Sequence, residues 1–173
     1  MTCASGANHL MVEFLFIVFL IGLLALLLRR DRRRRAIKIA VIDGSNLLYW
    51  KGEALSLQPV HDAIEALVAA GYRPCVIFDA NAGYLVAGQY LDGARFAKLL
   101  GLRAAQAYVV PKGEPADPHI LQLARKSGGI VISRDRFRDW ADKFAPETAS
   151  DRVVRGGYRR DKLWLDLPKD KVA

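Results

Sequence analysis

Five aspartates in this 173-residue chain stand at or shortly after the ends of apolar runs: Asp43 in "AVIDGSN", Asp79 in "VIFDAN", Asp117 in "PKGEPAD", and Asp135 and Asp139 in "VISRDRFRDW". Carboxylate oxygens gathered at one place suit a hard divalent cation, Mg²⁺ or its substitute Mn²⁺. Such a cation polarises a phosphoryl oxygen and lowers the pKa of an attacking water. Taken singly, each acid has an ordinary structural explanation. Asp43 and Asp79 suit Asx-turns, Asp117 and Asp135 suit helix N-caps, and Asp139 suits a solvated helix face. Taken together, they require a reason for like charges to collect, and a bound cation supplies one. If "RDRFRDW" is helical, Asp135 and Asp139 share a face.

Basic residues accompany these acids. Arg134, Arg136 and Arg138 interleave with Asp135 and Asp139, and Arg152, Arg155, Arg159, Arg160 and Lys162 flank Tyr158 and Trp164. Arginines beside aromatics suit single-stranded nucleic acid, with phosphates paired to guanidinium groups and bases stacked on rings. Local charge balance and a solvated loop explain the same two stretches. Two cysteines, Cys3 and Cys75, and three scattered histidines offer neither a disulfide framework nor the spacing of a soft-metal site.

The elements that must position these residues alternate. "AIKIAVID", "YRPCVIFDA", "AQAYVVP" and "GIVISRD" read as buried strands, and "KLWLDLP" as a fifth. Helices are expected over residues 56–71, 83–101, 116–129 (Asp117 as cap, Pro118 first) and 136–144, with 146–161 a basic loop. Strand–helix alternation predicts an α/β domain, a mostly parallel sheet of about five strands with helices on both faces, three layers in all. In such sheets ligands bind beyond the carboxyl ends of the strands, and four of these strands end in or run toward the acids.

The N-terminus is different in kind. Leu10–Leu28 carries a single charge, Glu13, and as a helix would be ~28 Å long, near the thickness of a bilayer core. Six arginines and one aspartate follow in residues 29–35, accounting for most of the net charge of +8. A cleaved signal peptide reverses that order of charge. The expectation is therefore a short tail (1–9), one transmembrane helix (10–28), a basic juxtamembrane segment (29–35) in contact with anionic inner-leaflet lipids, and a cytoplasm-facing domain (36–173), the N-terminus lying outside.

"VIDGSN", "PKGEPAD…IL" and "VISRDRFRDW" together resemble the NYN domains, in the PIN-like ribonuclease branch that includes the Regnase-type zinc-finger proteins, here without the zinc finger. The resemblance spans most of residues 37–145. It implies a PIN-like α/β/α fold and metal-dependent endoribonuclease activity. Asp43, Asp117, Asp135 and Asp139 would form the metal cluster, and Asn46 would order the turn or a metal-bound water; Asp79, not a clear position of that branch though other NYN members carry an acid near there, is a further candidate acid. Arg134, Arg136, Arg138, Arg159 and Arg160 would meet RNA. Where that branch carries two acids in tandem, this chain has Asp117 then Pro118.

The expected function is a membrane-anchored, Mg²⁺-dependent endoribonuclease. The alternative is a non-catalytic PIN-like module that holds RNA or protein at the membrane. A phosphatase with an aspartyl nucleophile would place a second acid two residues after Asp43, where Ser45 stands. The sequence is compatible with a homo-oligomer.

Overall fold

The computed structural model describes residues 16–24, 26, 38–52 and 55–168, and the chain divides into two units, 1–37 and 38–173. In the first unit residues 16–24 are helical with exposed side chains. Among the described residues no helix is long and apolar enough to cross a membrane. The rest of the expected span, apart from residue 26, and the arginine-rich segment 29–35 lie outside the described residues.

The second unit is built on a five-stranded parallel sheet in the order β3-β2-β1-β4-β5. Its strands are β1 (Lys38–Asp43), β2 (Tyr72–Phe78), β3 (Ala107–Val109), β4 (Ile130–Ile132) and β5 (Val153–Val154). The sheet is covered on both faces. Ala40 and Ile42 of β1, Val76 and Phe78 of β2, and Ile130 and Ile132 of β4 join one core with α2 (Gln58–Ala69). Val41, Ile77 and Val131, the residues between them, join a second core with α5 (Ala116–Ser127). Strand periodicity sends alternate side chains to opposite faces, so near-continuous apolar strands are what a sheet buried twice needs.

Three expectations fail in instructive ways. The expected helix 83–101 is two helices, α3 (Ala82–Ala87) and α4 (Gly93–Leu99), because Gly88 turns left-handed (φ 67°) and ends the first. The fifth strand of the sheet is not "KLWLDLP" but Val153–Val154, inside the expected loop; "KLWL" pairs instead with Gly156–Arg159 in an antiparallel hairpin, β6 (Gly156–Arg159) and β7 (Lys162–Leu165). A two-residue strand carries no readable alternation, and it is recruited by its neighbour: Val131 and Ser133 donate their amides to Arg152 and Val154 carbonyls. Finally, "RFRDWADKF" is a single 3₁₀ turn, Arg138–Trp140, preceded by Phe137 at φ 50°. Phe137 is buried in the second core, and that anchorage replaces a helical path.

Strands β2 and β3 run to one side of β1, and β4 and β5 to the other. The chain therefore reverses its direction of travel between β1 and β4, which makes their carboxyl ends the switch point where α/β sheets bind ligands.

Candidate active site

Asp43, the last residue of β1, and the three residues after it are each held by a different neighbour. Asp43 is buried, 6% exposed. Its Oδ1 accepts the Asn46 amide at 3.2 Å, capping the four-residue turn α1 (Gly44–Leu47). Its Oδ2 accepts the Ser133 hydroxyl at 2.8 Å, across the switch point. Gly44 lies against Phe78, where an added Cβ would come within 2.4 Å of the ring. The Ser45 hydroxyl accepts the Asp79 amide at 2.8 Å, tying the turn to the end of β2. The Asn46 side-chain oxygen Oδ1 accepts two bonds, from the Trp50 indole N–H at 2.8 Å and from the Arg134 amide at 3.0 Å. Asn46 thus orders the turn through its oxygen.

Ser133 was not singled out by sequence reasoning, and it is the link between the acids. Besides donating to Asp43, its hydroxyl oxygen accepts the Asp135 amide at 3.0 Å. Asp135 in turn accepts the Phe137 amide at 2.8 Å, an Asx-turn and not a helix cap. The only sequence signal for Ser133 is its place between an apolar strand and "RD". Asp117 sits in the first turn of α5; the cap position belongs to Pro115, one residue before the helix begins. Pro118 falls in that same first turn, where the helix has no use for an amide donor, so the Asp-Pro pair is compatible with the helix start.

The electrostatics show the acids converging. Burial raises the Asp43 carboxyl from 3.8 to about 7; the bonds from Ser133 and Asn46 oppose that rise, and Asp117 and Asp79 add to it. Asp117 is also raised, first by burial and then by Asp135, against the Trp140 indole, with further contributions from Asp79 and Asp139. Asp43 therefore feels Asp117 and Asp79, and Asp117 feels Asp79, Asp135 and Asp139. Among the described residues, no three His, Cys, Asp or Glu side chains stand close enough to form a ready-made metal cage. The donor set nonetheless fits Mg²⁺, which is held by one or two carboxylates and keeps waters and substrate phosphate oxygens for its other positions. A desolvated carboxylate crowded by like charges is the arrangement such an ion relieves.

The arginines divide. Arg134, Arg136 and Arg138 line an open cleft of about 520 Å³ with Asn46, Asp135 and Asp139. Arg134 is also a staple: its guanidinium lies 4.8 Å from the Trp50 ring centroid and its Nε donates to the Gly156 carbonyl at 3.0 Å, fastening the hairpin to the turn. Arg159 and Arg160 lie away from this cleft at the hairpin tip, Arg159 over the Trp164 ring at 4.9 Å and Arg160 in the turn at φ 48°. Tyr158 is committed to Asp62 of α2, to whose carboxylate its hydroxyl donates. Arg152 donates to the Gly129 carbonyl at 2.6 Å and braces β4.

A parallel α/β/α sheet with acids at its switch point defines a PIN-like domain. The family described as "Zc3h12a-like Ribonuclease NYN domain" matches residues 36–172, and the chain belongs to it. No curated protein matches the chain. Among solved structures, it is similar to the nuclear proteinaceous RNase P 2 (PRORP2) of Arabidopsis thaliana, at 17% identity and TM-score 0.57 over 91% of this chain and 37% of that one. A second structure of Arabidopsis thaliana nuclear protein-only RNase P 2 gives 17% identity and TM-score 0.52 over 97% of this chain and 38% of that one. The chain spans less than two-fifths of the length of either, and the likeness is one of fold.

Proposed function

We propose that this protein is a Mg²⁺-dependent endoribonuclease that hydrolyses RNA phosphodiester bonds at the edge formed by Asp43, Asp117, Asp135 and Asp139, with Asp79 as an additional acid. The observation that carries the reading is the buried Asp43 carboxylate, fixed by Ser133 and the Asn46 amide and crowded by Asp117 and Asp79. Family membership supports ribonuclease chemistry.

Asp43 and Asp117, with Asp135 and Asp139, would hold the cation. When bound, it would polarise the phosphoryl oxygen and make water a better nucleophile at neutral pH. The chain's own contribution is positional. Ser133 and Asn46 fix the Asp43 carboxylate in one orientation. Arg136 and Arg138 face the open cleft beside the acids and would neutralise backbone phosphates, setting register without reading sequence. Arg159 and Arg160 would extend that contact from the hairpin tip.

Residues 10–28 would anchor the protein in a membrane as a single span, N-terminus outside, with 29–35 on anionic inner-leaflet lipids and the nuclease domain in the cytoplasm. The support is the apolar run followed by arginines. Sedimentation of the full chain with membranes after alkaline carbonate washing tests the anchor; recovery in the soluble fraction refutes it. Association into homo-oligomers is read from the sedimentation coefficient of the detergent-solubilised chain.

The enzyme is tested with full-length protein and labelled single-stranded RNA in Mg²⁺, in Mn²⁺ and in EDTA. Products in the two metals and none in EDTA, abolished by Asp43→Asn, are expected. Equal cleavage by Asp43→Asn sinks the mechanism. RNA retarded but intact under all conditions establishes instead the non-catalytic module, whose support is Pro118 standing where the resembled branch carries a second acid.

A further inference from the structure

A second cleft, about 670 Å³, opens beyond the ends of β2 and β3, its lining beginning at Ala80, the residue after Asp79. That volume lies within the roughly 300–1,000 Å³ of small-molecule sites. Its floor is Val109 and Val110 at the end of β3, and its walls carry Asn81, Tyr84, Tyr90 and Lys112. Two chain connections fix its place. Asn81 is two residues beyond Asp79. The Val110 amide donates to the Phe78 carbonyl at 2.9 Å, which sets the 109–112 segment against the end of β2.

We propose that this cleft is a nucleobase subsite, taking one base of the RNA strand beside the phosphate that is cut. The inference rests on the nuclease reading above and deepens it. Tyr84 and Tyr90 are 58% and 49% exposed, so their rings are open to a stacking partner. Base–aromatic stacking accounts for much of single-strand affinity. Asn81 stands at the N-cap of α3, and its side chain makes no capping bond. Its carboxamide is thus not spent on the helix and can meet a base edge. Lys112, exposed at the rim, supplies the positive charge a flanking phosphate needs. The valines give the base an apolar floor.

The walls are preformed. A Cβ on Gly83 would come within 2.4 Å of the Leu91 amide nitrogen and 2.7 Å of the Gln89 carbonyl oxygen. The Gln89–Leu91 segment therefore lies directly on the first turn of α3, so Tyr84 on the helix and Tyr90 on the segment packed against it are neighbours. A backbone held this way sets the separation of the two tyrosines before a base arrives. An exposed apolar cleft also suits a second copy of the chain, but an ammonium and a free carboxamide at its mouth fit a nucleotide better.

The test uses full-length protein in detergent and a fluorescein-labelled 12-nucleotide single-stranded RNA, read by anisotropy in EDTA and by cleavage in Mg²⁺. Tyr84→Ala and Tyr90→Ala are each expected to weaken binding about ten-fold, while Tyr84→Phe and Tyr90→Phe stay within about two-fold. An abasic nucleotide walked along the RNA is expected to cost the native protein about ten-fold at one position, and nothing at that position in the Tyr84→Ala/Tyr90→Ala double variant. An abasic penalty that persists in the double variant overturns the subsite. So does a double variant that changes only the sedimentation coefficient, since that assigns the cleft to self-association. The failures are separable. Tyrosine-dependent binding without cleavage removes the nuclease reading and keeps the subsite; acid-dependent cleavage indifferent to both tyrosines does the opposite.

Discussion

The Ser133 hydroxyl donates to Oδ2 of Asp43 at 2.8 Å, joining the carboxyl ends of two strands that are neighbours in space and ninety residues apart in the chain. Ser133→Ala would leave a buried carboxylate oxygen without that donor, at a cost of about 1–3 kcal/mol. The bond favours the ionised form, so its loss moves the Asp43 carboxyl further upward. Cleavage by Ser133→Ala is therefore expected to need more alkaline pH than the native protein. Superimposable pH–rate profiles for the two proteins would refute the role given to this hydroxyl.

Asp43 carries a stability consequence of definite sign. Its carboxyl titrates near 7 when folded, against an ordinary 3.8. Folding therefore favours the protonated form. The contribution is fully present below about pH 4 and is lost as pH rises through 7. Asp43→Asn removes that loss and should stabilise the metal-free protein at pH 8 by about 2–4 kcal/mol, the upper end being the full shift and the lower end allowing for imperfect replacement of two hydrogen bonds. Urea unfolding in EDTA at pH 5 and pH 8 measures it: the gain should be large at pH 8 and small at pH 5.

Magnesium should show the mirror image. A cation that needs ionised Asp43 competes with its proton. Added Mg²⁺ is expected to raise the native Tm more at pH 8 than at pH 6, and to do little for Asp43→Asn. An equal rise in both proteins would place the ion elsewhere.

Gly44→Ala is a steric test of the turn. The new methyl would meet the Phe78 ring, which is fully buried and stacked on Phe96 at 4.0 Å between centroids. The ring has nowhere to go, and overpacking of this kind costs about 1–3 kcal/mol. Denaturant unfolding should show that loss, and Phe78→Leu in the same chain should recover part of it.

Asn46→Ala removes one acceptor from two donors, the Trp50 indole and the Arg134 amide. A loss of about 1–3 kcal/mol is expected. Because Arg134 also fastens β6 through Gly156, amide exchange in 156–165 should accelerate more than in α5. Uniform acceleration would mean that the staple does not act locally.

How much of this was legible depends on range. Strands β1, β2 and β4 are apolar runs buried on both faces, and their pattern is local, so they could be read directly. Asp43, Asp79 and Asp135 could be read because each closes such a run; Asp117 and Asp139 follow at a short distance. What could not be read depends on partners far along the chain. Val153–Val154 becomes a strand only because β4 is beside it. Asp135 and Asp139 do not share a helix face, because Phe137 is pulled into the core and breaks the helix. Ser133 matters through Asp43, and the role of Asn46 is divided between Trp50 and the Arg134 backbone. Tyr158, read as a surface for bases, is spent on Asp62.

The turn after β1 also predicts how relatives of this chain should vary. Three of its four side-chain positions answer to another side chain or ring: position 43 to 133, 44 to 78, 46 to 50. Substitutions at those positions should be accompanied, across a deep alignment, by changes at the partner. Ser45 answers to a backbone amide, which every residue but proline possesses. It should change or persist by itself, leaving a tetrapeptide whose four letters have four separate evolutionary histories.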